Sequence, residues 1–166
     1  MSFRLCDGLS GIAPEEVDAL VIAGMGGETI TNILEAAPWV KEKDFPIILQ
    51  PMSTQAELRG WLWRNGFLCL REKTVLEGET LYSIILARQG GAVPMTPAEE
   101  WAGRQYPGME DPLRGLLLDH LLGRVRRALD GMARSRAPAE ARRRELEQVL
   151  EGLMEMRKEW DAWQQR

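Results

Sequence analysis

The stretch ALVIAGMGG, residues 19–27, decides the fold class of this chain. Its first five residues form a continuous apolar run, and residues 29–34 after the glycines have the apolar spacing of one helix face. A second apolar run, residues 46–49, ends at Gln50-Pro51. Such runs are typical of strands buried within a parallel sheet. The sequence therefore predicts a strand–helix–strand unit.

The alternation of strands and helices continues to about residue 89. A capping-box spacing at Thr54 and Glu57 indicates the start of a second helix. Two β-rich runs then follow, residues 67–76 and 81–88, and they are joined through the tripeptide EGE at 77–79. A tight hairpin explains this spacing. We therefore expect an α/β fold whose sheet ends in an antiparallel pair.

The composition changes after residue 89. Residues 90–110 are rich in glycine and proline and are predicted to form a linker, and Asp111-Pro112 has the pattern of a helix start. Apolar residues then recur at steps of three and four: Leu118, Leu122, Val125, Leu129 and Met132, and, after a break at Pro138, Leu146, Val149, Leu153, Met156, Trp160 and Trp163. We expect an antiparallel α-helical hairpin of coiled-coil type over residues 111–166. The alternative is that these two heptad seams join two chains.

Composition excludes several classes of protein. The chain has 166 residues, of which 45% are hydrophobic and 28% are charged, so it can bury a core. Its apolar runs are far shorter than the ~20 residues of a membrane-spanning helix, and its N-terminus does not have a secretory pattern. We therefore expect a cytoplasmic protein without a membrane partner. Two distant cysteines and one histidine also predict no metal site.

Charge is distributed unevenly along the chain. Residues 1–111 hold 9 basic and 16 acidic residues, net −7, and residues 112–166 hold 12 basic and 9 acidic residues, net +3. A basic cluster of this kind attracts nucleic-acid phosphates. The alternative is a solvated helix face balanced by neighbouring glutamates. The candidate RNA-binding residues are Arg124, Arg127, Arg142, Arg143 and Arg144.

The glycine-rich turn after the first strand is the strongest candidate for a ligand site. Glycines at the carboxyl end of a parallel strand let a ligand approach the backbone, although a plain strand-to-helix connection has the same pattern. Neither phosphate-binding glycine motif is present, since the G-x-G-x-x-G spacing breaks at Thr29.

Two further segments carry polar groups that suit a nucleobase. The Asp7 carboxylate, before Gly8, can accept hydrogen bonds from an adenine amino group or a ribose hydroxyl, or the pair can form an ordinary Asp-Gly turn. The Gln50 amide can hold a polar base edge or cap the following helix.

Taken in order, these segments resemble one known family, the bacterial tRNA adenine-22 N1-methyltransferases. The matching residues are Asp7-Gly8-Leu9, Ile22-Ala-Gly-Met-Gly-Gly27, Ile30, Ile33-Leu34-Glu35, Leu49-Gln-Pro51, Leu58-Arg59-x-Trp61-Leu62, Gly66-Phe67, Glu72 and Leu81-Tyr82. The resemblance covers about residues 3–89. The predicted hairpin resembles, by architecture only, the C-terminal coiled-coil-like domain of that family, which is implicated in tRNA binding. Met52 stands where family members usually carry Asn.

The resemblance implies a class I methyltransferase with a Rossmann-like sheet, S-adenosylmethionine as cofactor and tRNA as partner. By this resemblance the catalytic residues are Gly24, Met25, Gly26, Gln50 and Pro51, and the cofactor-binding residues are Asp7, Gly8, Ala23, Gly24, Gly26 and Gly27. The competing hypothesis is a non-catalytic RNA-binding or assembly module that uses the arginine-rich hairpin.

The resemblance also implies that the chain is an incomplete form. The family begins with a strand and a D-x-G-S-D-H-type loop, so residues 1–89 correspond to the C-terminal part of the methyltransferase domain, starting near its third strand. The strand at residues 19–23 would then lie at a sheet edge, which favours pairing with a second copy of the chain. We expect weak or no binding of S-adenosylmethionine by this chain.

Overall fold

A computed structural model describes residues 2–134 and 140–165, which belong to two compact units, Met1–Pro94 and Met95–Arg166. The elements of the first unit are β1 (Leu20–Gly26), α1 (Gly27–Glu35), β2 (Ile47–Ser53), α2 (Gln55–Arg64), β3 (Phe67–Glu77) and β4 (Thr80–Gln89), with short 3-10 turns at Pro14–Glu16 and Pro38–Lys41. The elements of the second unit are α3 (Pro97–Ala102), α4 (Arg114–Arg134) and α5 (Glu140–Gln164).

The four strands form one sheet in the order β1-β2-β4-β3. β1 and β2 run parallel, whereas β4 is antiparallel to both β2 and β3. The turn between β3 and β4 contains Gly78 at φ 59°, a left-handed conformation that glycine adopts without strain. The predicted α/β sheet ending in an antiparallel pair is confirmed. Among the described strands, β1 lies at an edge, also as expected.

One face of the sheet carries the core of the first unit. Leu49 and Ile85 are fully buried there, in one cluster with apolar residues of α1 and α2. On the other face Val21 is 63% exposed and Ile48 is 36% exposed. The two predicted strands are therefore buried on the core face and exposed on the other, because the helices of this unit pack on one face only.

Residues of the family motif hold these elements together. The guanidinium of Arg59 on α2 donates to the Glu72 carboxylate on β3, with Nη2–Oε2 and Nε–Oε2 distances of 2.8 and 3.0 Å. The two side chains are only 1% and 11% exposed. Trp61 Nε1 on α2 donates to Glu35 Oε1 on α1 at 2.6 Å. These motif residues therefore stabilise the packing of α2 on its neighbours.

In the second unit, α4 and α5 pack against each other in antiparallel orientation. Arg157 near the end of α5 pairs with Asp119 near the start of α4, at 2.9 Å. Most of the predicted seam is buried, namely Leu118, Leu122, Val125, Leu146, Val149, Leu153, Met156 and Trp160. Leu129, Met132 and Trp163 are only half-buried. The seams thus meet within one chain, and their coiled-coil character stays a prediction. Pro138 lies outside the described residues.

The segment predicted as a linker, residues 90–110, contains α3. Thr96 caps this helix through its hydroxyl, which accepts from Glu99 N at 3.3 Å, and Ala98 packs against Gly152 of α5. The buried Arg114 guanidinium donates to the carbonyls of Ala102 and Gly103 at the end of α3. The structure divides the chain after Pro94 and places α3 with the helical unit. The Thr-Pro-x-Glu cap was present in the sequence, but a six-residue helix gives no periodicity to detect.

Within residues 2–134 and 140–165, no helix is long and apolar enough to cross a membrane.

Candidate functional site

The site begins with a break in the pairing of β1 with β2. Ala23 lies opposite Gln50 and Met25 lies opposite Pro51, so Gly24 has no partner residue and forms a bulge. Gly24 adopts φ 76°, in the left-handed region. Its N–H donates to the side-chain Oε1 of Gln50 at 2.8 Å. The Gln50 amide thus satisfies the backbone group that the bulge would otherwise leave unpaired.

This end of the sheet is open at the surface. A Cβ built on Gly24 would meet no atom within 4 Å. Met25 is 41% exposed and Met52 is 50% exposed, whereas Pro51 between the two strands is buried. The Nε2 of Gln50 has Met52 Sδ as its contact, at 3.4 Å, and a thioether is a weak acceptor. The backbone of Gly24 is therefore accessible, and the Nε2 donor of Gln50 faces a weak acceptor.

The next two glycines, Gly26 and Gly27, allow α1 to begin close to neighbouring backbone. A Cβ on Gly27 would lie 2.4 Å from the carbonyl oxygen of Thr54 and 3.0 Å from that of Ser53, so only glycine fits there. Gly26 is the N-cap of α1, at φ −65° and ψ 148°. The start of α1 is therefore pressed against the backbone that leads from β2 into α2.

Thr54 is a site residue whose role the sequence pattern does not predict. The pattern assigns it as the cap of α2, but it makes no side-chain cap there. Its Oγ1 instead accepts from Glu28 N of α1 at 3.2 Å. Among the described residues it is the one non-glycine with positive φ, 49°. The capping-box prediction is wrong because the hydroxyl has a partner 26 residues upstream, which no local pattern reveals.

Asp7 and Gly8 form a tight turn apart from these strands. Ser10 N donates to the Asp7 carbonyl at 3.0 Å, and Gly8 at φ 53° lies against Ile33 of α1. Residues 2–6 form no strand, so Asp7 does not lie at the end of a strand. The exposed Asp7 carboxylate makes no hydrogen bond within the described residues.

Gly8 borders a surface groove of about 510 Å³. Leu9 and Ile12 give it an apolar side, and the ion pair of Arg4 with Glu16 gives it a charged side. Hydrogen bonds from Arg4 and from the backbone of Ala13 lower the pKa of Glu16 to about 2.

The candidate RNA-binding arginines fall into two groups. Arg142, Arg143 and Arg144 each have a carboxylate partner on α5, at 2.7, 2.9 and 4.0 Å, so they match the balanced helix face described above. Arg124 and Arg127 are exposed on α4, and neither has a carboxylate within 4 Å in the described part of the chain. The Arg124 guanidinium lies 5.6 Å from the centre of the Trp101 ring.

The sequence of this chain is similar to those of known methyltransferases. A family model described as a methyltransferase domain matches residues 1–85, just over half of the chain. A tRNA (adenine(22)-N(1))-methyltransferase from Bacillus subtilis (strain 168) is 36% identical over 90 residues, which are 54% of this chain and 38% of that protein.

Solved structures extend the likeness to most of the chain. A Streptococcus agalactiae protein of the NADB-Rossmann superfamily has a TM-score of 0.74 at 25% identity, over 93% of this chain and 66% of that one. M. capricolum TrmK, solved with its natural cofactor product S-adenosyl-homocysteine, has a TM-score of 0.70 at 18% identity, over 93% of this chain and 67% of that one.

These likenesses confirm the Rossmann-like fold and the family resemblance seen in the motifs. The chain spans about two thirds of the length of these two solved structures and 38% of the curated relative. With the family model matching more than half of it, the chain belongs to the methyltransferase-domain family.

Proposed function

We propose that this protein takes part in the S-adenosylmethionine-dependent methylation of adenine N1 in tRNA, the activity named for its B. subtilis relative. The observation that carries this proposal is the bulge at Gly24. It places side-chain-free backbone at the carboxyl end of a parallel strand, with open space where a Cβ would stand. Open α/β sheets bind their ligands at this end of the strands.

For this reaction the protein mainly has to orient the methyl donor relative to adenine N1. When bound, S-adenosylmethionine supplies an electrophilic methyl carbon on a sulfonium. The lone pair of adenine N1 forms the new C–N bond while the C–S bond breaks and its electrons stay on sulfur, so no base has to remove a proton first. Alignment of donor and acceptor can supply about 7–11 kcal/mol in favourable cases. N1 must also be free of its Watson–Crick partner, because pairing occupies the lone pair.

The residues around the bulge suit this task. In the proposal, the backbone from Ala23 to Gly27 borders the methyl-transfer cleft, with Gly24, Met25 and Gly26 nearest to the reacting groups. Gln50, beside Pro51, has its Oε1 held by Gly24, so the amide offers its Nε2 as a donor to the target base. Asp7 and Gly8 are assigned to the cofactor, with the groove beside Gly8 as the supporting feature.

In this proposal the protein acts in the cytoplasm. Its partners are tRNA and a second copy of the chain. Arg124 and Arg127 are the favoured phosphate contacts, since the carboxylates beside Arg142, Arg143 and Arg144 already balance those cations. The free edge of β1 is the surface that supports pairing between copies. A non-catalytic RNA-binding module is the second candidate, and the basic face of α4 is the observation that favours it.

A methyl-transfer assay separates the two candidates. The protein is incubated with tritium-methyl-labelled S-adenosylmethionine at millimolar concentration and with a tRNA transcript that carries adenosine at position 22, or guanosine there as a control. We expect label in the adenosine transcript only, and its loss in Gly26→Leu. Glu79→Leu is the matched control, because it places the same side chain at an exposed position in the turn between β3 and β4. tRNA binding without transfer of label would favour the non-catalytic module, and equal labelling of both transcripts would reject the adenine assignment.

A further inference from the structure

The segment that runs from the end of β1 into α1, residues 24–28, is held at both of its ends by the segment that runs from β2 to the start of α2, residues 50–54. Gln50 Oε1 accepts from Gly24 N at 2.8 Å at the β1 end. Thr54 Oγ1 accepts from Glu28 N at 3.2 Å at the α1 end. Between these bonds the Thr54 carbonyl closes on Gly27 so tightly that a Cβ would lie 2.4 Å away. The candidate methyl-transfer segment is thus fixed by side chains and backbone of its neighbour in the sheet.

Thr54 has an unfavourable backbone for its residue type. Its φ of 49° and ψ of 41° are left-handed, a region that β-branched residues rarely adopt. Glycine or asparagine would occupy this position with less strain. Neither offers a hydroxyl on a short, β-branched side chain, and the Thr54 hydroxyl is the group that accepts from Glu28 N. Strained residues of this kind concentrate at functional sites, where the surrounding structure maintains them.

We propose that Thr54 is a positioning residue for methyl transfer. It acts through the Glu28 N–H, holding the first turn of α1 and with it the backbone of Gly24–Gly27, against which the methyl donor and the adenine ring have to align. This role rests on the proposed function above. Loss of the Thr54 hydroxyl is therefore expected to lower the rate of methyl transfer. tRNA binding is expected to stay unchanged, because Thr54 is not assigned a contact with tRNA.

The test compares Thr54→Val, which removes the hydroxyl and keeps the shape, with Thr54→Ser, which keeps the hydroxyl. In Thr54→Val we expect the Glu28 amide of the ligand-free protein to exchange with solvent about tenfold faster, and kcat to fall about tenfold with KM for tRNA unchanged. Thr54→Ser retains both the amide protection and kcat. Thr80→Val makes the same chemical change at an exposed position of the β3–β4 hairpin and alters neither quantity.

Thr54→Gly separates positioning from stability. It relieves the left-handed backbone, so it is expected to fold at least as well as Thr54→Val and still to have a low kcat. The inference is overturned if Thr54→Gly or Thr54→Val keeps the wild-type kcat, or if Thr54→Ser loses as much as Thr54→Val. A wild-type protein that transfers no methyl group would reject the proposed function and this inference together, whereas an active wild type with an equally active Thr54→Val rejects this inference alone.

Discussion

At the scale of single residues, Gly24 and Gly27 need to be glycine for different reasons. Gly24 has a left-handed backbone with free space around it, whereas Gly27 has the Thr54 carbonyl where a side chain would begin. The first reason is conformational and the second is steric. The two positions can therefore be told apart by the same small substitution.

Gly24→Ala is expected to lower the free energy of unfolding by about 1–2 kcal/mol, the cost of a left-handed L residue. Gly27→Ala is expected to cost about 3 kcal/mol, since backbone must move to admit the methyl group. Gly131→Ala, in α4, is the control and should raise stability by about 1 kcal/mol through helix propensity. Urea unfolding curves give all three values. A Gly27→Ala protein as stable as Gly24→Ala would contradict the steric argument.

Glu16 offers a second test at this scale. Two hydrogen bonds from Arg4, with one from Ala13 N, lower its pKa from 4.5 to about 2 in the folded protein. Because the folded pKa is the lower one, the stability that this carboxylate contributes is present above pH 4.5 and is lost as the pH falls from about 4.5 to about 2. An NMR titration should show Glu16 titrating near pH 2, and between that pH and its ordinary value in Arg4→Gln, where the hydrogen bond from Ala13 N remains. An unchanged titration in that variant would refute the assignment to Arg4.

At the scale of single residues, some features of the site could be predicted from the sequence and others could not. The bulge glycine and the Gln50-Pro51 pair could be singled out because strand ends are visible in the apolar pattern. The left-handed Thr54 could not, since T-x-x-E reads as a capping box and the true partner of the hydroxyl lies on another helix. Distant hydrogen bonds leave no periodic trace in a single sequence.

At the scale of elements, the buried pair of Arg59 and Glu72 joins α2 to β3. Removing the carboxylate of such a pair takes a negative charge away from a buried guanidinium, which costs about 3–5 kcal/mol. Glu72→Gln should therefore lower the free energy of unfolding by about 3 kcal/mol. Glu145→Gln, which breaks the exposed pair with Arg142, should change it by less than about 0.5 kcal/mol. Similar losses in the two variants, measured by urea unfolding, would show that burial does not decide the effect.

The elements themselves were predictable to different degrees. Long periodic helices and the short β3–β4 turn were visible in the sequence, since heptad spacing and the EGE tripeptide are local signals. α3 was missed because six residues are too few for a periodic pattern. The exposed second face of β1 and β2 was missed as well, because an apolar run does not tell which helices are present to cover it.

At the scale of the whole molecule, the free edge of β1 bears on cofactor binding. Among the described residues, β1 has a neighbouring strand on one side only. At its carboxyl end, the sheet therefore borders a ligand with β1 and β2 alone. We expect this 166-residue chain to bind S-adenosylmethionine more weakly than the micromolar range. Isothermal titration calorimetry measures this directly. A micromolar dissociation constant would show that the pocket is complete without a further strand beside β1.

The two groups of arginines give the last prediction, which concerns tRNA binding by the whole protein. Arg124→Ala with Arg127→Ala removes two charges from one face of α4, since residues three apart are neighbours on a helix. Arg142→Ala with Arg143→Ala removes the same charge from α5, where both side chains are paired with glutamates. The net charge of the protein falls by two in both double variants. Any difference in tRNA affinity between them therefore reports direct binding of phosphates.

We expect the α4 variant to bind tRNA more weakly and to lower the slope of log affinity against log salt by about two, one for each phosphate that its arginines no longer neutralise. The α5 variant should keep most of the affinity and of the slope. Filter binding at several salt concentrations supplies both numbers. If the two variants lose affinity equally, the arginines act through net charge alone, and if the α5 variant loses more, the phosphates are bound by α5 despite its glutamates.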